Sequence, residues 1–154
     1  MYKRQDLTRP GGKRFGTLVH EVLAHARFDD ERAQIQALAV SLARALDASE
    51  VEVDAAVEAV TAALAHPLLR RAAGAPVCHR EMPLVHRSDD GHLIEGVPDL
   101  AFRYEADGPW TVIDFKTDLR ADLVETAYRH QVALYVEAIR AATDSPAVGV
   151  LLFV

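Results

Sequence analysis

The chain has 154 residues, half of them hydrophobic, and its 17 basic and 23 acidic residues give a net charge of −6. This length suffices for one domain with its own core, and no apolar run reaches the roughly 18 residues that a membrane span needs. The negative charge argues against a protein that holds nucleic acid mainly through its electrostatic field. One cysteine, Cys78, excludes an internal disulfide, a CxxC zinc site and a four-cysteine iron-sulfur cluster. We expect a cytoplasmic protein without membrane attachment.

The opening residues differ from the rest of the chain. Polar residues 1–5 precede Pro10-Gly11-Gly12, which breaks any regular element. We therefore expect residues 1–12 to be a disordered or artefactual leader and residues 13–154 to form a single domain.

Periodicity separates an N-terminal helical part from a later mixed part. Apolar residues at three- and four-residue spacing predict helices, and these cover residues 13–28, 31–46, 49–65 and 122–142. Asp29 and Asp30 are expected to cap the second helix. β-Branched and alternating runs predict strands, over residues 77–86, 93–104, 111–117 and 148–154. The first two strands would form a hairpin, and the predicted fold is α/β, with a central mixed sheet of about four or five strands flanked by helices.

The strand over 111–117 carries a pair of opposite charges. Asp114 and Lys116 are two residues apart, so they point to the same face with backbones about 6 to 7 Å apart. Ile113 and Phe115 point to the other face. Charged groups on an otherwise apolar strand indicate a core strand with an active-site edge.

Polar residues in neighbouring elements can extend this pair. Asp99 lies on the strand expected to pair with it, and His20 lies on the first helix one turn after Gly16, whose lack of a side chain indicates a close approach. One face of the fourth helix carries three polar-tipped side chains, namely Tyr128, Gln131 and Tyr135. Two carboxylates and a histidine suit Mg²⁺ or Mn²⁺, and such a site can hydrolyse a phosphodiester.

Five ordered motifs on four segments define a resemblance, because the DxK motif lies within the DYKT-like strand. Together with the GTxxH, GxxD and QxxxY patterns, they make the chain resemble the RecB/AddA-like branch of the PD-(D/E)XK nuclease superfamily. The matching segments are Gly16-Thr17-Leu18-Val19-His20, Gly96-Val97-Pro98-Asp99, Asp114-Phe115-Lys116-Thr117 and Gln131-Val132-Ala133-Leu134-Tyr135. The resemblance implies a restriction-endonuclease-like core.

The resemblance also implies a role for each matched residue. His20, Asp99 and Asp114 would bind the metal, with the carbonyl of Phe115 as a fourth protein ligand, and Lys116 would be the catalytic lysine. Residues on the last helix would position the lysine, the water or the phosphate, and these are Gln131 and Tyr135 with Tyr128 ahead of them. Supporting roles fall to Glu81, which matches a family glutamate, and to Gly16 and Thr17. His25, His66, His79 and Cys78 match no motif.

The resemblance implies a substrate and partners as well. We expect a Mg²⁺- or Mn²⁺-dependent deoxyribonuclease, exonuclease rather than endonuclease, acting on single-stranded DNA from an unwinding motor in double-strand break repair and recombination. No Walker A motif is present, so the motor would be a separate helicase domain or subunit. The alternatives are a free-standing viral or mobile-element nuclease and a non-catalytic DNA- or subunit-docking module of the same fold.

Overall fold

A computed structural model describes residues 9–118 and 121–154, so most of the predicted leader lies outside the described residues. The described residues form five helices and six strands. The helices are α1 Lys13–His25, α2 Arg32–Leu46, α3 Glu50–Ala65, α4 Pro67–Ala73 and α5 Ala121–Thr143. The strands are β1 Val77–Arg80, β2 Leu84–Arg87, β3 Leu93–Gly96, β4 Leu100–Arg103, β5 Trp110–Lys116 and β6 Ala147–Phe153. Within this part of the chain, no helix combines the length and apolar character needed to cross a bilayer.

The chain divides into two compact units. The first comprises the described residues of Met1–His66 and Lys116–Arg120 together with Phe153–Val154, and the second comprises the described residues of Pro67–Phe115 and Ala121–Leu152. The prediction that residues 13–154 form a single domain stays a prediction.

Three helices, α1 to α3, build the first unit around an apolar core. Each helix contributes fully buried side chains to that core, including Phe15, Leu18, Val19, Val22, Ile35, Ala39, Val57 and Val60. An ion pair joins α1 to α3, since Nε and a terminal nitrogen of Arg14 donate to the two Glu52 oxygens at 3.0 and 2.8 Å. Glu52 also completes the predicted capping box with Ser49.

Two helix predictions need correction. The second helix is capped by Glu31, whose backbone N–H donates to Gln34 Oε1 at 2.7 Å, and not by Asp29 or Asp30. Helix α4 was missed, because Pro67 was interpreted only as the end of α3. Proline also suits the first position of a helix, where its missing N–H costs nothing, and α4 begins at Pro67.

The second unit is built on a four-stranded mixed sheet in the order β1-β4-β5-β6. Strand β4 is antiparallel to both neighbours, with Arg80 opposite Leu100 and Leu100 opposite Ile113. Strands β5 and β6 run in parallel, because Trp110 N donates to Pro146 O at their starts and Val154 N donates to Lys116 O at their ends. Helix α5 makes the predicted crossover between them, and the α/β fold with a mixed sheet is confirmed.

The predicted long hairpin is wrong in its details. Both of its strands break in the middle, so β1 pairs with β4 in the main sheet while β2 and β3 form a separate two-stranded ribbon. Pro83 and Pro98 lie in the two breaks and lack the N–H that a continuing ladder requires. Glu81 adds a bend with φ of 49°. The ribbon packs on α5, where His86 Nε2 lies 3.4 Å from Glu137 Oε1.

Candidate active site

Two carboxylates lie at one end of the sheet, Asp114 in β5 and Asp99 immediately before β4. The last pair of the antiparallel register joins Leu100 to Ile113, and Asp99 and Asp114 are the next residues beyond that pair. The carboxylate of Asp99 accepts a hydrogen bond from Phe115, the residue after Asp114. Asp114 is only 4% exposed. The structure therefore brings together the two predicted acidic residues.

Asp99 is held in place by the neighbouring strand. Its Oδ2 accepts a hydrogen bond of 2.6 Å from the backbone N–H of Phe115. The N–H and C=O of one strand residue point to the same side, so the carbonyl of Phe115 also faces the strand that carries Asp99. The carbonyl of Phe115 and the carboxylate of Asp99 thus lie together on the β4 side of β5, at the residue after Asp114.

The backbone of a third acidic residue, Glu81, is bonded to that of Asp99. The Glu81 N–H donates to the carbonyl of Asp99 at 3.1 Å, which sets Glu81 beside Asp99 just after β1 ends. Its φ of 49° is left-handed, a conformation that costs a residue with a side chain roughly 1 to 2 kcal/mol. Backbone strain of this kind is common at functional sites.

Helix α5 covers the face of the sheet that carries Asp114. Alternation along β5 places Trp110, Val112 and Asp114 on one face. Trp110 and Val112 pack in a buried cluster with Tyr135 and Ile139 of α5. Asp114 is the next residue on this face after Val112, so its carboxylate lies at the margin of the apolar core, near Tyr135 of α5.

The hydroxyl of Tyr135 on α5 lies close enough to the carboxylates for their charges to affect its pKa. Burial raises the pKa of its hydroxyl, and the negative charges of Asp114 and Asp99 raise it further. Hydrogen bonds from Gln131 and from the backbone of Val97 act in the opposite direction. The Gln131 amide donates to the Tyr135 oxygen at 2.9 Å. Tyr135 is therefore a neutral hydroxyl at physiological pH, next to the acidic pair.

Gly96 belongs to the GxxD pattern, and the sequence indicated no role for it. A Cβ on Gly96 would lie 2.3 Å from Cε1 of Tyr135 and 3.1 Å from its hydroxyl oxygen, so the tyrosine ring rests directly on this glycine. The signal was present, since a glycine in a strand often marks close approach of another group.

The remaining motif residues are Lys116 at the end of β5 and Gly16 and Thr17 on α1. Lys116 is its last residue, on the same side of the strand as Asp114. Within the first unit, a Cβ on Gly16 would lie 3.0 Å from Oγ1 of Thr117, which is the close approach that the sequence indicated. The hydroxyl of Thr17 donates to the carbonyl of Lys13 at 2.9 Å.

Two further residues of the predicted site lie on helices. His20 lies on α1 in the first unit and is half-buried, and its role as a ligand stays a prediction. Tyr128 lies on α5, half-buried and two turns before Tyr135, and its role also stays a prediction. Outside the motifs, His25 Nδ1 contacts the carbonyl of Glu21 at 2.8 Å, on the exposed side of α1.

The donor set suits a hard divalent cation. Across residues 9–118 and 121–154, no three histidine, cysteine or acidic side chains form a cluster ready to hold a metal ion. Mg²⁺ commonly binds through only one or two carboxylates and takes its other ligands from water and substrate phosphates. Asp99 and Asp114, with the carbonyl of Phe115 on the β4 side of β5, match that mode of binding.

Comparison with known proteins places this chain in a family. Residues 3–154 match the PD-(D/E)XK nuclease superfamily, and the chain belongs to that superfamily. Its mixed four-stranded sheet in an α/β fold is consistent with the restriction-endonuclease-like core. The chain is also similar to an ATP-dependent helicase/nuclease subunit of Staphylococcus epidermidis, with 25% identity over 163 aligned positions covering 90% of this chain. It spans 13% of that relative's length, and the similarity supports the RecB/AddA-like resemblance.

Proposed function

We propose that the chain is a divalent-metal-dependent nuclease domain that hydrolyses phosphodiester bonds of DNA. The observation that carries this proposal is the pair Asp99 and Asp114, joined through the 2.6 Å hydrogen bond from Phe115 N to Asp99 Oδ2, in a chain of the PD-(D/E)XK superfamily. Asp99, Asp114 and the carbonyl of Phe115 would hold Mg²⁺ or Mn²⁺, which would activate a water and offset negative charge on the phosphate.

The protein's own side chains complete the chemistry. Lys116, one strand repeat beyond Asp114, is proposed to orient the attacking water or to stabilise charge on the phosphate. Tyr135 and Gln131 provide hydrogen-bonding groups on the α5 side of the carboxylates. His20 is retained as a further proposed ligand on the sequence pattern alone.

The substrate and partner follow from charge and similarity. A net charge of −6 gives this chain little electrostatic grip on a polyanion. The similar staphylococcal protein is described as a helicase/nuclease subunit. We therefore propose that the chain cuts single strands supplied by a helicase motor during double-strand break repair and recombination, and that the isolated chain cuts DNA weakly.

The decisive experiment is a cleavage assay with the purified chain. Linear single- and double-stranded DNA are incubated with Mg²⁺, Mn²⁺ or EDTA, alongside Asp114→Ala and Lys116→Ala. Asp107→Ala and Lys13→Ala are matched controls, because both side chains are exposed and lie outside the motifs. We expect metal-dependent cleavage of linear single strands that both test variants abolish and both controls retain. Cleavage that persists in EDTA or in both test variants would contradict the proposal.

A circular single strand tests the mode of cutting. An exonuclease needs a free end, so we expect linear strands to be degraded while a circle of the same sequence survives. Cleavage of the circle at a comparable rate would replace the exonuclease proposal with an endonuclease, and the metal-dependent chemistry would stand.

A further inference from the structure

Two glycines on different strands receive side chains of α5. Gly96, at the end of β3, faces Tyr135, and a Cβ there would lie 2.3 Å from the ring. Gly149, in β6, faces Val132, and a Cβ there would lie 2.2 Å from Cγ1 of that valine. Contacts under 3.0 Å force a neighbour to move, so each glycine permits one close approach of the same helix. Of the two contacts, the one at Gly96 involves a polar group.

The hydroxyl of Tyr135 has a defined hydrogen-bonding role. A tyrosine oxygen can accept two hydrogen bonds and donate one. It accepts from Gln131 Nε2 at 2.9 Å. With one acceptor position occupied by this donor, the hydroxyl hydrogen points away from Gln131. Asp114 and Asp99 are the charged groups whose fields reach this oxygen.

We propose that Gly96 is a positioning residue that seats Tyr135 so that its hydroxyl donates a hydrogen bond to an oxygen of the scissile phosphate at the Asp99–Asp114 pair. The absence of a side chain lets the ring close onto the end of β3, where a Cβ on Gly96 would also lie 3.1 Å from the hydroxyl oxygen. This inference rests on the proposed nuclease function. It assigns the glycine a part in the rate of cleavage in addition to its part in packing.

The test uses four variants of the full chain. Gly96→Ala displaces Tyr135, Gly149→Ala is the matched control that presses on α5 at an aliphatic contact, Tyr135→Phe removes the hydroxyl, and Gly96→Ala/Tyr135→Phe combines the two changes. Thermal unfolding measures the packing cost, and kcat and KM on single-stranded DNA with Mn²⁺ measure the chemistry.

Positioning and mere packing predict different results. Displacing the hydroxyl can cost no more than removing it, so we expect Gly96→Ala to lower kcat by roughly tenfold, the loss expected for Tyr135→Phe, with KM changed less than about threefold. We expect Gly149→Ala to lower the melting temperature as well, with kcat within about threefold of wild type. In the Tyr135→Phe background, Gly96→Ala should lower kcat no further, because the hydroxyl is already absent. Equal losses of kcat in the two glycine variants, or full additivity with Tyr135→Phe, would overturn the proposal.

A second measurement does not depend on activity. In a chain with ¹³C-labelled tyrosine rings, Gly96→Ala should shift the Tyr135 resonances, assigned through Tyr135→Phe, while Gly149→Ala leaves them in place. If the wild type cuts no DNA, the nuclease proposal fails, and unchanged Tyr135 resonances in Gly96→Ala would separately refute the seating. If Gly96→Ala does not fold, Gly96→Ala/Tyr135→Leu provides room for the new methyl group. Recovery of folding would support the contact, and failure to recover would contradict it.

Discussion

Replacing Asp99 tests the structural and the chemical role of its carboxylate separately. The hydrogen bond from Phe115 N to Asp99 Oδ2 is 2.6 Å long. Its donor belongs to a buried residue, since Phe115 is 4% exposed, and its acceptor is a carboxylate oxygen. Loss of a hydrogen bond to a charged group, leaving a buried N–H, costs about 1.5 to 3 kcal/mol. In a chain of this size, each kcal/mol lost from the free energy of unfolding lowers the melting temperature by about 2 to 4 °C. We therefore expect Asp99→Ala to lower the melting temperature by roughly 3 to 12 °C.

Asp99→Asn separates the two roles. Asparagine keeps an oxygen acceptor at nearly the same place and removes the charge, so about half of that loss in stability should be recovered, since neutral hydrogen bonds are roughly half as strong. Both substitutions should abolish cleavage, because a neutral amide is a poor ligand for a hard divalent cation. Stability is measured by thermal unfolding in EDTA, which removes any contribution from bound metal, and cleavage is measured with Mg²⁺ and with Mn²⁺.

The refuting outcomes are specific. Equal loss of stability in Asp99→Ala and Asp99→Asn would show that the hydrogen bond to Phe115 N is not what the aspartate contributes. Wild-type cleavage by Asp99→Asn would refute its role in the metal site. Asp107→Asn, in an exposed turn, is the control for the loss of one negative charge and should change neither quantity.

Three more predictions concern single side chains. Hydrogen bonding from Arg14 holds the pKa of Glu52 at about 2, below its ordinary 4.5. Stabilisation from this ionised carboxylate is therefore present above pH 4.5 and is lost as the pH falls to 2. In acid denaturation, we expect the free energy of unfolding of Glu52→Gln to fall less between pH 4.5 and pH 2 than that of the wild type. Glu81→Gly should raise the free energy of unfolding by about 1 kcal/mol by relieving the left-handed backbone, and a decrease there would show that the Glu81 side chain contributes more than the strain costs. Tyr135→Phe should lower kcat by about tenfold while the fold is kept, which circular dichroism verifies, and an unchanged kcat would remove Tyr135 from the chemistry.

Local patterns predicted the helices and the crossover well. Apolar spacing located α1 to α3 and α5, and the capping box at Ser49 and Glu52 placed the start of α3. The patterns failed at the long strands, because periodicity does not show which partner a strand takes. Pro83 and Pro98 interrupt the ladders, and this lets β1 and β4 join the main sheet while β2 and β3 form a ribbon on α5.

The sequence predicted which residues belong to the candidate site, but it predicted only a part of how they contact one another. The spacing of Asp114 and Lys116 fixed their shared face, and the motif order indicated Asp99 as a partner. The bond from Phe115 N to Asp99, the left-handed backbone of Glu81 and the contact of Gly96 with Tyr135 join residues distant in the chain or depend on backbone angles. Residue periodicity carries no information on such contacts.

By itself, the sequence determined which residues are available for chemistry and which side of its own element each one occupies, because these depend only on helix and strand periods. Family membership also follows from the chain alone, since residues 3–154 match the superfamily. Only the tertiary structure decided that Asp99 is bonded to β5 at the residue after Asp114 and that Tyr135 rests on Gly96. Strand register and helix docking are settled by packing between distant segments, where one residue of slippage would turn a carboxylate to the opposite face.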